Sequence, residues 1–226
     1  MSEGTVSVIL AAYQEAPSIA AVVRGCAAHT PDLLEVLVVD DGSTDGTADL
    51  AAAAGARVLR LPRNGGKGVA IRHGIAHARG ELLLFMDADG QDDPREIPRL
   101  LSAFSPDVDM VVGSRFLGAF GPGAITKVNK LGNQLLTSIV NVLFRARLTD
   151  TQAGFRAVRR RAASRCRLSA SRYDIEVDLL LGVLQGGGRV VEVPVSRAAR
   201  AHGKSHLDSA RDGARILARI LRMRFM

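Results

Sequence analysis

Aromatic residues are scarce in this sequence of 226 residues: tryptophan is absent and the aromatic share is 4%. The net charge of +7 favours an acidic partner, and nucleic acid is the usual candidate. Few rings are available to stack on bases, however, and the arginines are scattered or gather late in the chain. We therefore expect no nucleic acid to bind, which leaves phosphorylated small molecules and anionic lipid surfaces as partners.

Cysteines and long apolar runs are also scarce. Cys26 and Cys166 form neither a disulfide framework nor a metal-ligand spacing, so we expect two buried thiols in a reducing cytosol. No apolar run approaches the roughly 18 residues of a membrane-spanning helix. The first residues also lack the basic and apolar regions of a secretory signal peptide. These absences predict a cytoplasmic protein.

Short β-branched runs alternate with helical stretches, which is typical of a parallel sheet covered on both faces. The predicted strands are 6–12, 34–40, 56–61, 81–86, 110–114 and 189–195. The predicted helices are about 17–29, 44–54, 67–79, 94–104, 127–144 and 176–185. Ser43, Thr44 or Asp45 could cap the second helix, and Asp93 followed by Pro94 is a typical start for the fourth. We predict a single α/β domain with a Rossmann-like sheet.

The stretch ELLLFMDADGQDDP, residues 81–94, runs from a predicted strand directly into aspartates. In an open parallel sheet, ligands bind outside the carboxyl ends of the strands. Carboxylates placed there, at Asp87 and Asp89, are the oxygen ligands that Mg²⁺ or Mn²⁺ prefers. A loop that caps the next helix is the structural alternative. An EF-hand fails because its sixth position would be Asp92 instead of glycine, and an aspartyl-nucleophile phosphatase is a minor alternative.

Two further strand ends carry polar residues of the kind that a nucleotide site needs. Asp40 and Asp41, in VVDDGSTDGT, could accept from the ring N–H of uracil or guanine, or could simply stabilise the turn. Lys67, in NGGKG, could act as a point charge near phosphate or be an ordinary lysine at a helix start. Neither this loop nor the first strand end has the spacing of a Walker A motif or of a dinucleotide fingerprint.

Taken in order, AAYQE, DDGSTDGT, NGGKG, DADGQDDP and GSRF resemble the family 2 glycosyltransferases of GT-A fold. More narrowly, they resemble the polyprenyl-phosphate (dolichyl-phosphate) mannosyltransferases and glucosyltransferases. The later segments DTQAGFR and VPVSRAARAHGKS are similar to the same branch. The resemblance covers nearly the whole chain, and it departs from the family at Ala11, Gln14 and His206.

The resemblance implies roles for individual positions. Nucleotide binding is implied for Ala11, Tyr13, Glu15, Asp40, Asp41, Lys67, Asp87 and Ala88. The metal, Mg²⁺ or Mn²⁺, is implied at Asp87, Asp89 and Gln91, and the catalytic set is Asp89, Arg115 and Arg200. The donor would be GDP-mannose or UDP-glucose, since Asp41 can serve either base.

The implied acceptor is a polyprenyl phosphate, and the implied outcome is inversion to a β-linked sugar. A phosphate acceptor is largely ionised at neutral pH and needs no strong base, whereas a soluble hydroxyl acceptor would need one. Asp174 and Glu176 are the candidates for that base, although they could equally cap a helix. Lys127 and Ser205 are further acceptor-side candidates. A nucleotide-sugar-binding protein without turnover is another alternative.

The last residues, 205–226, form a basic amphipathic pattern. At 100° per residue, Arg211, Arg215, Arg219 and Arg222 share one face of a helix, and apolar residues cover much of the rest. Such a helix could lie on the cytoplasmic face of a membrane or pack on its own domain. We expect residues 1–116 to bind the nucleotide sugar and residues 117–204 to bind the acceptor.

Overall fold

The computed structural model of the protein describes residues 4–200 and 209–225. Its centre is a sheet of seven strands in the order β3-β2-β1-β4-β6-β5-β7. The strands are β1 (Val6–Ala12), β2 (Leu33–Asp40), β3 (Arg57–Arg60), β4 (Leu82–Asp87), β5 (Val108–Phe120), β6 (Arg156–Arg159) and β7 (Arg189–Arg197). Only β6 runs antiparallel to its neighbours β4 and β5 among these strands. The mostly parallel sheet is therefore confirmed.

Helices cover both faces of the sheet. They are α1 (Ala16–His29), α2 (Thr47–Ala53), α3 (Lys67–His77), α4 (Ile97–Ser102), α5 (Lys127–Phe144), α6 (Arg160–Ala163), α7 (Ile175–Gln185) and α8 (Ser209–Phe225). Alternate residues of the central strands enter two separate apolar clusters, one on each face. Val8 and Ile9 of β1, both fully buried, show this alternation, which burial of both faces of a parallel strand requires. The predicted single α/β domain is confirmed.

The structure corrects several predicted bounds. The sequence analysis misses β6 and α6, because four-residue elements with arginines at their ends carry little periodic signal. It also shortens β5, which has 13 residues. Helix α2 begins at Thr47, after a turn in which Gly42 and Gly46 adopt positive φ. At the predicted start near Pro94, Asp93 accepts from the backbone N–H of Arg95 and caps a 3₁₀ turn, Pro94–Glu96, which leads into α4.

Glu35 joins three neighbouring strands at the amino end of the sheet. Its carboxylate accepts hydrogen bonds from Ser7 Oγ at 2.9 Å, Arg57 at 2.8 Å and the backbone N–H of Arg79 at 2.9 Å. Burial raises the pKa of Glu35, but these donors outweigh it and the pKa is lowered. The folded protein therefore favours the ionised form of Glu35.

Helix α8 packs against its own domain. Ile216 and Ile220 enter a third apolar cluster together with Leu136 of α5 and Leu181 of α7. Arg219, which shares a helix face with Arg211, Arg215 and Arg222, pairs with the fully buried Asp178. Of the two arrangements expected for this helix, the structure shows packing on the domain.

Neither cysteine takes part in a disulfide. Cys26 is buried and Cys166 is half-buried, so the expectation of two buried thiols holds for Cys26 alone. Burial is the main cause that raises the thiol pKa, to about 12 for Cys26 and to about 11 for Cys166. Among the described residues, no helix is long and apolar enough to cross a membrane.

Candidate active site

The carboxyl ends of three neighbouring strands bring the predicted nucleotide residues together. In the parallel register, Ala12 of β1 lies beside Asp40 of β2, and Ala11 lies beside Asp87 of β4. Tyr13 follows β1 directly in the loop before α1. The positions implied for nucleotide binding therefore share one edge of the sheet, as the rule for open parallel sheets predicts.

Asp40 and Asp41 stabilise the turns around them. Asp40 accepts from the backbone N–H of Ser43 at 3.3 Å. The two oxygens of Asp41 accept from the backbone N–H groups of Gly65 and Gly66, each at 2.8 Å. Asp41 thus ties the end of β2 to the loop that begins α3. Since each carboxylate oxygen has two lone pairs, this arrangement is compatible with base binding but does not require it.

Lys67 begins α3 and connects the two halves of the chain. Its Nζ lies 2.6 Å from Asp87 Oδ1 and 2.6 Å from Glu176 Oε1 on α7. Burial lowers the pKa of Lys67, but the two negative charges outweigh it and raise the pKa. Tyr173 lies beside the ammonium group, with its ring centroid 5.9 Å from Nζ. Lys67 is therefore a partly buried group that stays charged beside the metal-ligand candidates.

The start of α3 lies very close to the segment before α7. An added Cβ at Gly66 would lie 2.4 Å from the carbonyl oxygen of Ser171, and one at Gly68 would lie 2.4 Å from that of Ala170. Backbone atoms cannot move aside as a side chain can. The glycines of the NGGKG loop therefore allow the close approach that lets Lys67 reach Glu176.

The three predicted metal ligands converge on one nitrogen atom of Arg197. Its Nη2 lies 3.1 Å from Asp87 Oδ2, 3.0 Å from Gln91 Oε1 and 3.7 Å from Asp89 Oδ2. Three oxygens thus face a point that already holds a cation. Within residues 4–200 and 209–225, no three carboxylate, imidazole or thiol side chains form a metal-binding group; the third ligand here is an amide. The oxygen-only set fits Mg²⁺ or Mn²⁺.

The two carboxylates predicted as metal ligands have opposite pKa shifts. Burial and the charge of Asp87 raise the pKa of Asp89 to about 6, partly offset by Arg197 and Arg200. Burial also raises the pKa of Asp87, but Lys67 and Arg197 outweigh it and lower the pKa. Asp87 is therefore held ionised by its cationic partners, whereas burial makes ionisation of Asp89 less favourable.

Arg200 joins the loop after β1 to the loop after β4. It pairs with Glu15 at 2.9 Å and with Asp89 at 2.7 Å. Ser18 of α1 donates to the backbone carbonyl of Ala88 at 2.8 Å, which holds the same two loops together. Glu15, Asp89 and Arg200 thus belong to the same connected ionic cluster as Lys67.

The remaining candidates lie elsewhere or are engaged differently. Arg115 on β5 makes a bidentate pair with Asp150 at 2.7 and 2.8 Å, and neither residue is among the ion-pair partners of Asp87 in the described residues. Lys127 is exposed at the start of α5, and Asp174 accepts from the backbone N–H of Arg172 before α7. Ser205, and the departure at His206, lie outside the described residues.

Sequence patterns predict neither Arg197 nor Asp150 as a residue of the site. Arg197 is the last residue of β7, so the strand-end rule that finds Asp87 could also have found it. Asp150 is fully buried and orients Arg115, but nothing in its local sequence indicates that partner. Asp92 Oδ1 accepts from Arg197 at 2.8 Å. These contacts join residues about 35 to 105 positions apart, which local patterns do not report.

Comparisons with known proteins identify the family to which the chain is similar. The family model described as "Glycosyl transferase family 2" matches residues 7–167. Glycosyltransferase AglJ of Haloferax volcanii is 30% identical over 219 residues, which is 96% of this chain and 71% of that protein. Polyprenol monophosphomannose synthase of Mycolicibacterium smegmatis is 33% identical over 223 residues, which is 90% of this chain and 81% of that protein.

Solved structures show the same architecture. Glucosyl-3-phosphoglycerate synthase from Mycobacterium tuberculosis, in complex with phosphoglyceric acid, has a TM-score of 0.79 and 25% identity, over 98% of this chain and 80% of that one. The same enzyme in complex with Mn²⁺ and UDP-glucose has a TM-score of 0.78 and 25% identity, over 98% of this chain and 79% of that one.

Proposed function

Because the chain belongs to glycosyl transferase family 2, we propose that it transfers a hexose from a nucleoside diphosphate sugar to a polyprenyl phosphate, with inversion. The family and the GT-A fold make the protein a glycosyltransferase. The observation that carries the proposal is the convergence of Asp87, Asp89 and Gln91 beside the charged Lys67. The donor is GDP-mannose or UDP-glucose, and residues 1–116 bind it.

Asp87, Asp89 and Gln91 hold Mg²⁺ or Mn²⁺ in this proposal. The metal, when bound, neutralises the negative charge that grows on the departing diphosphate. Lys67 supplies a second, fixed positive charge at the same edge of the sheet, and its raised pKa keeps it protonated throughout the physiological range. Arg200 is placed to exchange its carboxylate partners for a phosphate group. Glu15, Tyr13 and Asp41 surround the base.

Two findings bear on the acceptor, which residues 117–204 would bind. Similarity over 90% of the chain to a polyprenol monophosphomannose synthase favours a lipid phosphate. The structural similarity to glucosyl-3-phosphoglycerate synthase makes a soluble hydroxyl acceptor the second candidate. Glu176 distinguishes the two chemically. One of its oxygens pairs with Lys67, while the buried Oε2 has no hydrogen-bond partner among the described residues. With a hydroxyl acceptor, Glu176 would be the group that takes the proton.

The experiment offers polyprenyl phosphate or 3-phosphoglycerate as acceptor, with each donor and Mg²⁺ or Mn²⁺, and looks for glycosylated product. We expect a glycolipid. We also expect Glu176→Gln to keep lipid-phosphate turnover within about tenfold of the wild type, because an ionised phosphate needs no general base. With 3-phosphoglycerate as acceptor, the same substitution should cost about 10²-fold or more, because a hydroxyl acceptor needs a general base. Product from the soluble acceptor alone would refute the lipid assignment.

A lipid acceptor requires a surface that meets the membrane, and we place that surface on α5. Its exposed side carries Val128, Leu131, Leu135 and Val142, which are 61–78% exposed. At 100° per residue they lie within about 60° of each other around the helix. Lys127 at the first turn is also exposed and suits anionic headgroups. The protein would then work at the cytoplasmic face of the membrane.

Co-sedimentation with phosphatidylglycerol-containing vesicles tests this surface. Leu131→Asp combined with Leu135→Asp should abolish binding, because both substitutions place charge in the apolar stripe. Leu50→Asp is the matched control, since Leu50 is an exposed leucine on α2, outside the stripe. Equal binding by the double variant and the control would show that α5 does not face the lipid.

A further inference from the structure

Arg197 occupies the point at which the proposed metal ligands meet. It is the last residue of β7, and its side chain is 11% exposed. Besides the three oxygens of Asp87, Asp89 and Gln91, its other terminal nitrogen lies 2.8 Å from Asp92 Oδ1. One guanidinium group therefore contacts every proposed metal ligand as well as a fourth side chain.

The backbone around Arg197 is fixed to the same loop. The N–H of Ala198 donates to the carbonyl of Gln91 at 2.9 Å, and the amide nitrogen of Gln91 donates back to the carbonyl of Ala198 at 2.9 Å. Asp92 and Arg197 also form an isolated β-bridge. The backbone can thus stay in place while the long side chain of Arg197 turns to a new partner.

The charges of the cluster show why this position matters. Its carboxylates belong to Glu15, Asp87, Asp89, Asp92 and Glu176, and its cations belong to Lys67, Arg197 and Arg200. The carboxylates outnumber the cations, so a divalent ion is attracted. The same ion would nevertheless be repelled by the guanidinium that holds the same oxygens. Metal binding and the observed position of Arg197 therefore oppose each other.

We propose that Arg197 is a resident counter-ion for the metal ligands: it keeps their oxygens together before the metal binds and then turns to the phosphates of the nucleotide. This inference rests on the proposed metal site. It makes Arg197 a positioning residue that couples the two ligands. A metal alone must displace Arg197 without giving it a new partner, whereas a nucleoside diphosphate supplies that partner.

The test is the Mn²⁺ affinity of the purified protein, measured from the electron paramagnetic resonance signal of free Mn²⁺, with and without UDP and, separately, GDP. We expect one of the nucleotides to raise the Mn²⁺ affinity of the wild type at least tenfold. Arg197→Gln should bind Mn²⁺ alone at least tenfold more tightly than the wild type does, about 1.4 kcal/mol. In Arg197→Gln, the nucleotide should then raise the Mn²⁺ affinity by a correspondingly smaller factor than in the wild type.

Two variants control for charge and geometry. Arg197→Lys keeps the positive charge, so its Mn²⁺ affinity should stay near that of the wild type. Arg95→Gln also removes one positive charge near the site, but Arg95 belongs to an exposed pair with Asp93, so this substitution should leave the Mn²⁺ affinity unchanged. Equal or weaker Mn²⁺ binding by Arg197→Gln would overturn the inference. So would tightening of the same size in Arg197→Lys.

If Arg197→Gln does not fold, the wild type decides the question. Equal Mn²⁺ affinity with and without either nucleotide would refute the coupling. Asp89→Asn separates this inference from the proposed function, because it should abolish Mn²⁺ binding wherever the metal site is correct. Absence of Mn²⁺ binding under every condition would overturn the metal assignment and this inference together. Nucleotide-enhanced binding that Arg197→Gln leaves unchanged would overturn the inference alone.

Discussion

Replacing Lys67 by methionine should destabilise the protein strongly, because it leaves the buried Glu176 facing the partly buried Asp87 without the ammonium group between them. The contacting oxygens of Asp87 and Glu176 each lie 2.6 Å from Nζ. They are thus at most about 5 Å apart, where two negative charges repel by about 3 kcal/mol at an effective dielectric constant of about 20. Breaking a buried ion pair by removing one partner typically costs about 3–5 kcal/mol. We expect a loss of that size in the free energy of unfolding.

Urea denaturation at neutral pH measures this loss, and a second substitution identifies its cause. Glu176→Gln in the Lys67→Met background removes one of the repelling charges and should recover about 2 kcal/mol of the loss or more. Arg60→Met is the matched control, because Arg60 pairs with Asp49 on the exposed surface and should contribute less than about 1 kcal/mol. A loss below about 1 kcal/mol for Lys67→Met, or further destabilisation by Glu176→Gln in that background, would refute the reasoning.

Three further substitutions test the fold. Glu35→Gln should lower the free energy of unfolding by about 1–3 kcal/mol at pH 7. Because the folded pKa of Glu35 is lowered, the stabilisation by its carboxylate is present above the unfolded pKa and disappears as pH falls through the folded pKa. The urea denaturation curves of variant and wild type should therefore converge in acid. Gly68→Ala places Cβ 2.4 Å from a backbone carbonyl oxygen and should lower the thermal midpoint by an amount equivalent to about 1–3 kcal/mol. In the control Gly132→Ala, the added Cβ meets open space, so this substitution should not destabilise the protein. Arg219→Gln leaves the buried Asp178 without its cation, so it should lower the free energy of unfolding by about 3 kcal/mol and speed amide hydrogen exchange in α8. Unchanged exchange would show that the Arg219–Asp178 pair does not hold α8 on the domain.

The parallel half of the fold could be predicted because its signals are local. Buried strands such as β1 and β4 are nearly continuous apolar runs, and the aspartates that follow them mark the edge of the sheet where ligands bind. The antiparallel β6 could not be predicted in this way. Its four residues include two arginines, and the pairing with β4 and β5 is determined by the rest of the sheet.

In the candidate site, too, residues close together in sequence could be predicted, and long-range contacts could not. Asp87, Asp89 and Gln91 could be predicted as neighbours because they lie within five positions of one another along the chain. The partners of these residues could not. Arg197 reaches Asp87 across 110 positions, and Arg200 reaches Asp89 across 111, so only the folded sheet brings them together. The position of α8 was uncertain from sequence for a related reason, since an amphipathic helix suits both a membrane and its own domain.

The two native thiols have a practical consequence for testing the proposed lipid-binding surface. At pH 8, a pKa of about 12 for Cys26 and of about 11 for Cys166 leaves thiolate fractions of about one in ten thousand and one in a thousand. A cysteine introduced at an exposed position such as Val142, with an ordinary pKa near 8.5, would be about one-quarter ionised. Maleimide dyes should therefore label the new residue selectively, and depth measurements by fluorescence quenching can be made without first removing either native cysteine.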